Sequence, residues 1–197
     1  MSVLPIYLYG SDILRKKAKA VHELDDSLIK LAYDMSETMR KSSGIGLAAT
    51  QVGDLRRVIV VDASAAEESR SEEEEGKGEI PADKPRRLIV LLNPEVLSES
   101  GSTSIEEGCL SIPDVRADVT RAEAIRLKFR DANFREVETD ADGLLARVIL
   151  HEIDHLDGVL FIDRISAAKR ALLKNELRKI KKGEIDTSYP VVSAVEV

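Results

Sequence analysis

His151-Glu152-Ile153-Asp154-His155 has the form H-E-x-x-H. Residues four apart on a helix share a face, so two imidazoles can grip one metal ion. At about 100° per residue, Leu144, Val148, His151 and His155 form one stripe, and Leu145, Ile149 and Ile153 form its neighbour. Leu150 extends the apolar cover and leaves a narrow polar arc around Arg147 and Asp154. The spacing therefore predicts a helix buried nearly all round, with two histidines and one glutamate set into its interior. A buried glutamate is costly unless it is charge-paired, hydrogen-bonded or protonated. A lone interior histidine is ordinarily a satisfied core residue. Two of the chain's 3 histidines flanking a glutamate point instead to a metal site.

A metal needs a third protein ligand, with a fourth position open if the site is catalytic. Zinc proteases of the H-E-x-x-H type take theirs downstream, as Glu or His. Here no histidine follows His155, and Glu176, Glu184 and Glu196 lie in a basic, surface-patterned helix, at its end, and in the tail. Upstream stands Cys109, the only thiol, in Glu107-Gly108-Cys109-Leu110-Ser111. A lone cysteine is equally a small buried hydrophobe, and its spacing leaves both readings open. Gly44-Ile45-Gly46-Leu47-Ala48-Ala49-Thr50-Gln51 sets small residues around a polar amide. Taken alone it reads as a tight loop. It is no dinucleotide fingerprint, because no strand leads into it and the third glycine is missing.

The elements that must position these residues can be traced along the chain. Ser27 reads as the N-cap of a helix with Leu28, Leu31, Ala32, Met35 and Met39 at helical spacing, ending in Ser42-Ser43-Gly44. Arg57 to Asp62 and Leu88 to Leu92 read as strands, the second ended by Asn93-Pro94. Ala124 to Arg130 and Phe134 to Thr139 alternate around Asp131-Ala132-Asn133, as a hairpin does. Asp140 and Asp142 offer caps for the metal-site helix, from about Gly143 to Leu156. A last amphipathic helix is expected from about Ala167 to Lys182, with Leu172, Leu173, Leu177 and Ile180 as its stripe. After Gly183 a patternless tail is expected, 183–197. No βαβ rhythm is visible, so the class is α+β.

The chain has 197 residues and a net charge of −7, a length suited to one domain over 1–197. Residues 63–84 carry 8 acids and 3 bases, −5 of that total, and read as a solvated surface insert. The negative balance disfavours non-specific binding of DNA or RNA. One cysteine excludes an intramolecular disulfide. No apolar run approaches the roughly 20 residues a membrane span needs, and the N-terminus lacks the pattern of a signal peptide. A soluble cytoplasmic protein with no membrane partner is the expectation.

The three motifs, in this order, resemble the peptide deformylase family. Its patterns G-φ-G-φ-A-A-x-Q, E-G-C-φ-S and H-E-φ-D-H (φ apolar) are all matched, at Gly44–Gln51, Glu107–Ser111 and His151–His155. The likeness runs from about Val3 to Ile180. Two departures stand out: Leu150 where the family commonly has Gln, and the longer connection at 63–84. The resemblance implies antiparallel and mixed β-sheets packed around a central metal-binding helix, with a C-terminal helix. It implies removal of the formyl group from N-terminal formyl-methionine of nascent polypeptides, with release of formate. It implies one divalent ion per chain on Cys109, His151 and His155, usually Fe²⁺, with Zn²⁺, Ni²⁺ or Co²⁺ as substitutes. Glu152 would carry the proton, and the Gln51 side chain and Leu110 N–H would face the oxyanion. Gly44, Ile45, Gly46, Glu107, Gly108, Arg116 and Val148 would line the substrate groove, Gly46 by letting substrate backbone approach. The competing readings are a zincin-like metallopeptidase and a non-enzymatic, metal-stabilised interaction domain. The basic last helix, on an acidic protein, suggests a ribosome contact or a plain solvated face.

Overall fold

A computed structural model of the chain describes residues 2–64 and 87–195. The acidic stretch expected as a surface insert falls outside the described residues from position 65 onward. The strands are β1 (Ile6–Tyr7), β2 (Gly46–Ala48), β3 (Val58–Asp62), β4 (Leu88–Ser100), β5 (Thr103–Cys109), β6 (Ile112–Arg121), β7 (Ala124–Arg130), β8 (Glu136–Asp142) and β9 (Val191–Val192). The helices are α1 (Asp26–Lys41), α2 (Gly143–Leu156), α3 (Ala167–Leu172) and α4 (Lys174–Lys181).

An antiparallel sheet in the order β2-β3-β4-β7-β8 lies at the centre of the fold. Every residue of β3 is buried, because helices cover both of its faces. Val58 and Val60 pack with Leu28, Leu31, Met35 and Met39 of α1. Ile59 and Val61, pointing the other way, pack with Ala146, Ile149, Leu150 and Ile153 of α2. Each such side chain contributes about 1.5–3 kcal/mol on full burial, so α2 is fixed by many small gains from one face. The β5-β6 hairpin lies apart from the sheet. Ile112, Val115 and Val119 of that hairpin join Phe161, Leu177 and Ile180 in a third core. No helix of the described residues is long and apolar enough to cross a membrane.

The structure corrects several expectations. Asp25, not Ser27, caps α1: its carboxylate accepts from Leu28 N–H at 2.7 Å, and the Ser27 hydroxyl donates to that same carboxylate. A carboxylate there also meets the positive end of the helix. Strand β4 does not stop at Asn93-Pro94 but runs to Ser100 with register shifts on both sides of Val96. Asn93 takes φ 52° there, and its side-chain amide both donates to and accepts from the Val21 backbone at 2.7 Å. A bulge is where a strand tolerates a proline's missing N–H. The last helix is two, meeting at Leu173. Leu173, Leu177 and Ile180 keep the stripe, whereas Leu172 is 81% exposed. The segment after Gly183, expected as a patternless tail, returns as β9 and pairs in parallel with β1.

Candidate active site

Helix α2 carries the H-E-x-x-H residues into the interior, and all of Ala146–Leu156 is buried. The expected polar arc does not reach solvent. Arg147 and Asp154 are 3% and 7% exposed and belong to a chain of buried ion pairs. Arg121 on β6 joins Glu107 at 2.6 Å and Asp154 at 2.7 Å. Arg147 joins Glu107 at 2.7 Å and reaches the Val119 and Thr103 carbonyls at 2.9 and 2.8 Å. Arg164 closes the chain on Asp154. These bonds tie the β5-β6 hairpin to α2. Removing one partner from such a set leaves an uncompensated buried charge.

The hairpin brings Cys109 to the two histidines. One donor atom each from Cys109, His151 and His155 lies within 4.8 Å of the others, and Cys109 Sγ is 3.1 Å from His155 Nε2. Glu107 Oε2 lies 3.0 Å from His151 Nδ1, which turns Nε2 of that ring toward the thiol. The Thr50 hydroxyl donates to the His155 carbonyl at 3.0 Å and ties β2's loop to the helix. Burial would raise the Glu107 carboxyl, but hydrogen bonds from His151 and Arg121 outweigh it and bring Glu107 to about 2. Burial also opposes charge on His151, yet hydrogen bonds to Cys109 and Glu107 raise it to about 10. His155 is driven well below the usual histidine value, first by burial and then by the charge on His151. A ligating imidazole must be neutral, so binding an ion here would release the proton that His151 otherwise holds. A soft thiolate and two imidazoles are the donor set for a borderline divalent ion. The residues fit such an ion.

Glu152 stands beside them and is not one of the three. It is 4% exposed, its Oε2 has no partner among the described residues, and burial raises its carboxyl to about 7. Gln51 is fixed from both ends of its amide. Its Oε1 accepts from Ala48 N–H at 2.8 Å, and its Nε2 donates to Ser111 Oγ at 3.2 Å and lies 3.5 Å from Cys109 Sγ. An amide nitrogen has two hydrogens, and both are engaged here, one by the Ser111 hydroxyl and one by the Cys109 sulfur.

A cavity of about 570 Å³ opens over this floor. It brings together Gly44, Ile45, Gly46, Gln51, Gly108, Leu110, Arg116, Val148, His151 and Glu152, with Cys109 between them. Of the expected site residues, His155 alone does not border the cavity. Two of these residues have further contacts. Glu107 borders the cavity, but both its carboxylate oxygens are engaged by Arg121, Arg147 and His151. Gly46 makes room for the helix: a Cβ there would lie 2.5 Å from Glu152 Oε1 and 2.7 Å from Val148 Cγ1. Arg116 sits at the rim, 67% exposed and 3.9 Å from Glu106. Leu150, in the usual Gln position, is buried in the core between α2 and the sheet.

Sequence reasoning missed Ser111, fully buried under Gln51, although it ends the E-G-C-φ-S motif. It also missed Asp186–Tyr189, which line one side of the cavity; no periodicity or motif marks them. A downstream glutamate as third ligand, the mark of a zincin-like peptidase, is not what the structure shows. Among the described residues Glu176 and Glu184 are exposed and the third donor is Cys109, while Glu196 lies outside them.

The polypeptide deformylase family model matches residues 3–171. A peptide deformylase of Chlorobium phaeobacteroides (strain BS1) is 49% identical over 96% of this chain and 95% of its own length. The crystal structure of a peptide deformylase from Legionella pneumophila superposes with a TM-score of 0.79 at 37% identity, covering 93% of this chain and 98% of that one. A peptide deformylase from Ehrlichia chaffeensis, solved in complex with actinonin, gives 0.77 at 34% identity, covering 94% and 100%.

Proposed function

The chain belongs to the polypeptide deformylase family, hydrolases of the N-formyl amide of nascent peptides, and from that premise we propose how its residues remove formyl from formyl-methionine. The observation that carries the reading is Glu152, a buried carboxylate whose Oε2 has no partner among the described residues, standing beside a thiol and two imidazoles.

Cys109, His151 and His155 would hold one divalent ion, Fe²⁺ in our reading, with Zn²⁺, Ni²⁺ or Co²⁺ able to replace it. Such an ion supplies hydroxide near neutral pH by lowering the pKa of water. Glu152 accepts the proton that water gives up as its oxygen bonds to the formyl carbon. It then returns that proton to the departing nitrogen as the carbon–nitrogen bond breaks, and formate and a free amine leave. The Leu110 N–H, and the Gln51 amide hydrogen that rests on the Cys109 sulfur in the free protein, would turn to the negative charge that develops on the formyl oxygen. Glu107 keeps His151 in one orientation throughout. Gly44, Ile45, Gly108, Arg116 and Val148 receive the methionine side chain and the peptide behind it.

The substrate is made in the cytoplasm on ribosomes, where we place the protein. Lys169, Arg170, Lys174, Arg178, Lys179, Lys181 and Lys182 on α3, α4 and the residue after them offer the basic surface for a ribosome contact. Lys169 and Arg170 also have partners within the chain, Asp118 and Asp163. Salt-sensitive co-sedimentation with ribosomes, lost when four of these bases become Glu, would support that contact. The test of the function is anaerobic metal content measured with formate release from a formyl-methionyl peptide. One ion per chain and stoichiometric formate are expected; formate release without bound metal, or metal without release, contradicts the reading.

A further inference from the structure

The turn that joins β5 to β6 carries Leu110, and the ladder around it is interrupted by a register shift between Gly108 and Cys109. A bulged turn leaves carbonyls that the hairpin does not satisfy, so they need partners from elsewhere. Here they come from both ends of the described chain. The Tyr189 hydroxyl donates to the Leu110 carbonyl at 2.8 Å, and the Tyr9 N–H donates to the Ser111 carbonyl at 2.9 Å. Tyr9 closely follows β1 and Tyr189 closely precedes β9, and these two strands pair, Ile6 with Val191 and Tyr7 with Val192. One small parallel sheet therefore presents both holds to successive carbonyls of a single turn.

Tyr189 is itself well placed. Its ring and the Leu110 side chain pack against the same core, formed with α1. The Thr187 hydroxyl donates to the Tyr189 carbonyl at 2.8 Å and stiffens the approach. Burial raises the phenol to about 12, so the hydroxyl stays protonated and remains a donor. This return lies beyond residue 171, where the family match ends.

We infer that Tyr189 is a positioning residue for deformylation, fixing the Leu110 peptide and with it the amide that faces the developing oxyanion. The inference rests on the deformylase reading above. Without the hydroxyl, the Leu110 carbonyl loses its hold and the turn beside Cys109 gains freedom. Removing an oxyanion donor outright costs roughly 10²–10³ in kcat, and a donor left present but loosely aimed loses part of that.

The experiment compares the wild type, Tyr189→Phe and Tyr33→Phe, the last a control on an exposed tyrosine 59% accessible on α1. Each is assayed for formate release from a formyl-methionyl peptide and for amide hydrogen exchange across residues 108–112. Tyr189→Phe should lose about fivefold or more in kcat at unchanged KM and metal content, with faster exchange confined to 108–112. Tyr33→Phe should match the wild type in both. A kcat loss below about threefold, a loss confined to KM, or unchanged exchange at 108–112 overturns the inference. If the wild type itself releases no formate, the deformylase reading fails separately. The exchange arm then still decides whether Tyr189 grips the turn.

Discussion

Gly46 and Glu152 face each other so closely that a Cβ on the glycine would come within 2.5 Å of the Glu152 Oε1. The absent side chain on β2 is what leaves room for the Glu152 carboxylate of α2 beneath the cavity.

Gly46→Ala should therefore strike activity before fold. The added methyl also meets Val148 Cγ1 at 2.7 Å, so the helix cannot simply slide aside. Overpacking costs about 1–3 kcal/mol of stability. Displacement of the carboxylate should lower kcat by about tenfold or more, which is about 1.4 kcal/mol of barrier. Gly44→Ala is the comparison, since the one tight contact of its Cβ would be with the flexible end of Leu110, Cδ1 at 2.8 Å, the Gly46 carbonyl and Met39 Cγ standing off at 3.4 Å. Its kcat loss should be clearly smaller. Paired kinetics and urea unfolding check both, and an equal loss in the two variants contradicts the assigned role of Gly46.

Cys109→Ser tests the donor set. A hydroxyl is a poorer ligand than a thiolate for a soft or borderline ion. The variant should fold, since serine is close to cysteine in size, and should emerge with well under one ion per chain by elemental analysis. Full occupancy with unchanged activity would remove Cys109 from the site.

Glu107→Gln tests the hold on His151 and has a pH signature. The Glu107 carboxyl titrates at about 2 in the folded protein against a reference of 4.5. Above 4.5 it is ionised in both states and its stabilisation is fully present. As pH falls toward 2 the unfolded chain takes up the proton first, and that stabilisation drains away. The depressed value corresponds to about 3 kcal/mol at pH 7, in line with the cost of breaking a buried pair. Urea midpoints should show the variant weaker by this order at pH 7, with the gap closing toward pH 3. A gap that does not narrow in acid assigns the loss to packing instead.

The metal-site helix and most of its surroundings were legible in the sequence because helical periodicity is a local property. His151, Glu152 and His155 announce themselves within five residues, and α2 begins and ends at Gly143 and Leu156, the limits the pattern predicts. Burial of Arg147 and Asp154 was not legible. Their partners Arg121, Glu107 and Arg164 are 10–40 residues away, and only the tertiary fold brings them together. Strand β4 was cut short in the reading because Asn93-Pro94 is locally a stop, which the bulge and the Val21 contact override. Tyr189 lies just before β9, a strand of two residues that is too short to leave any alternation in the sequence.

Glu152→Gln is the most direct test of the account. The change keeps size and hydrogen bonding but removes the ability to accept and return a proton. General acid–base groups contribute roughly 10²–10⁴ in rate. The variant should keep one ion per chain and still bind a formyl-methionyl peptide with unchanged KM. Its kcat for formate release should fall at least about a hundredfold, because the lost interaction belongs to the transition state. Near-normal turnover in Glu152→Gln, or loss of the metal, would contradict the account at its centre.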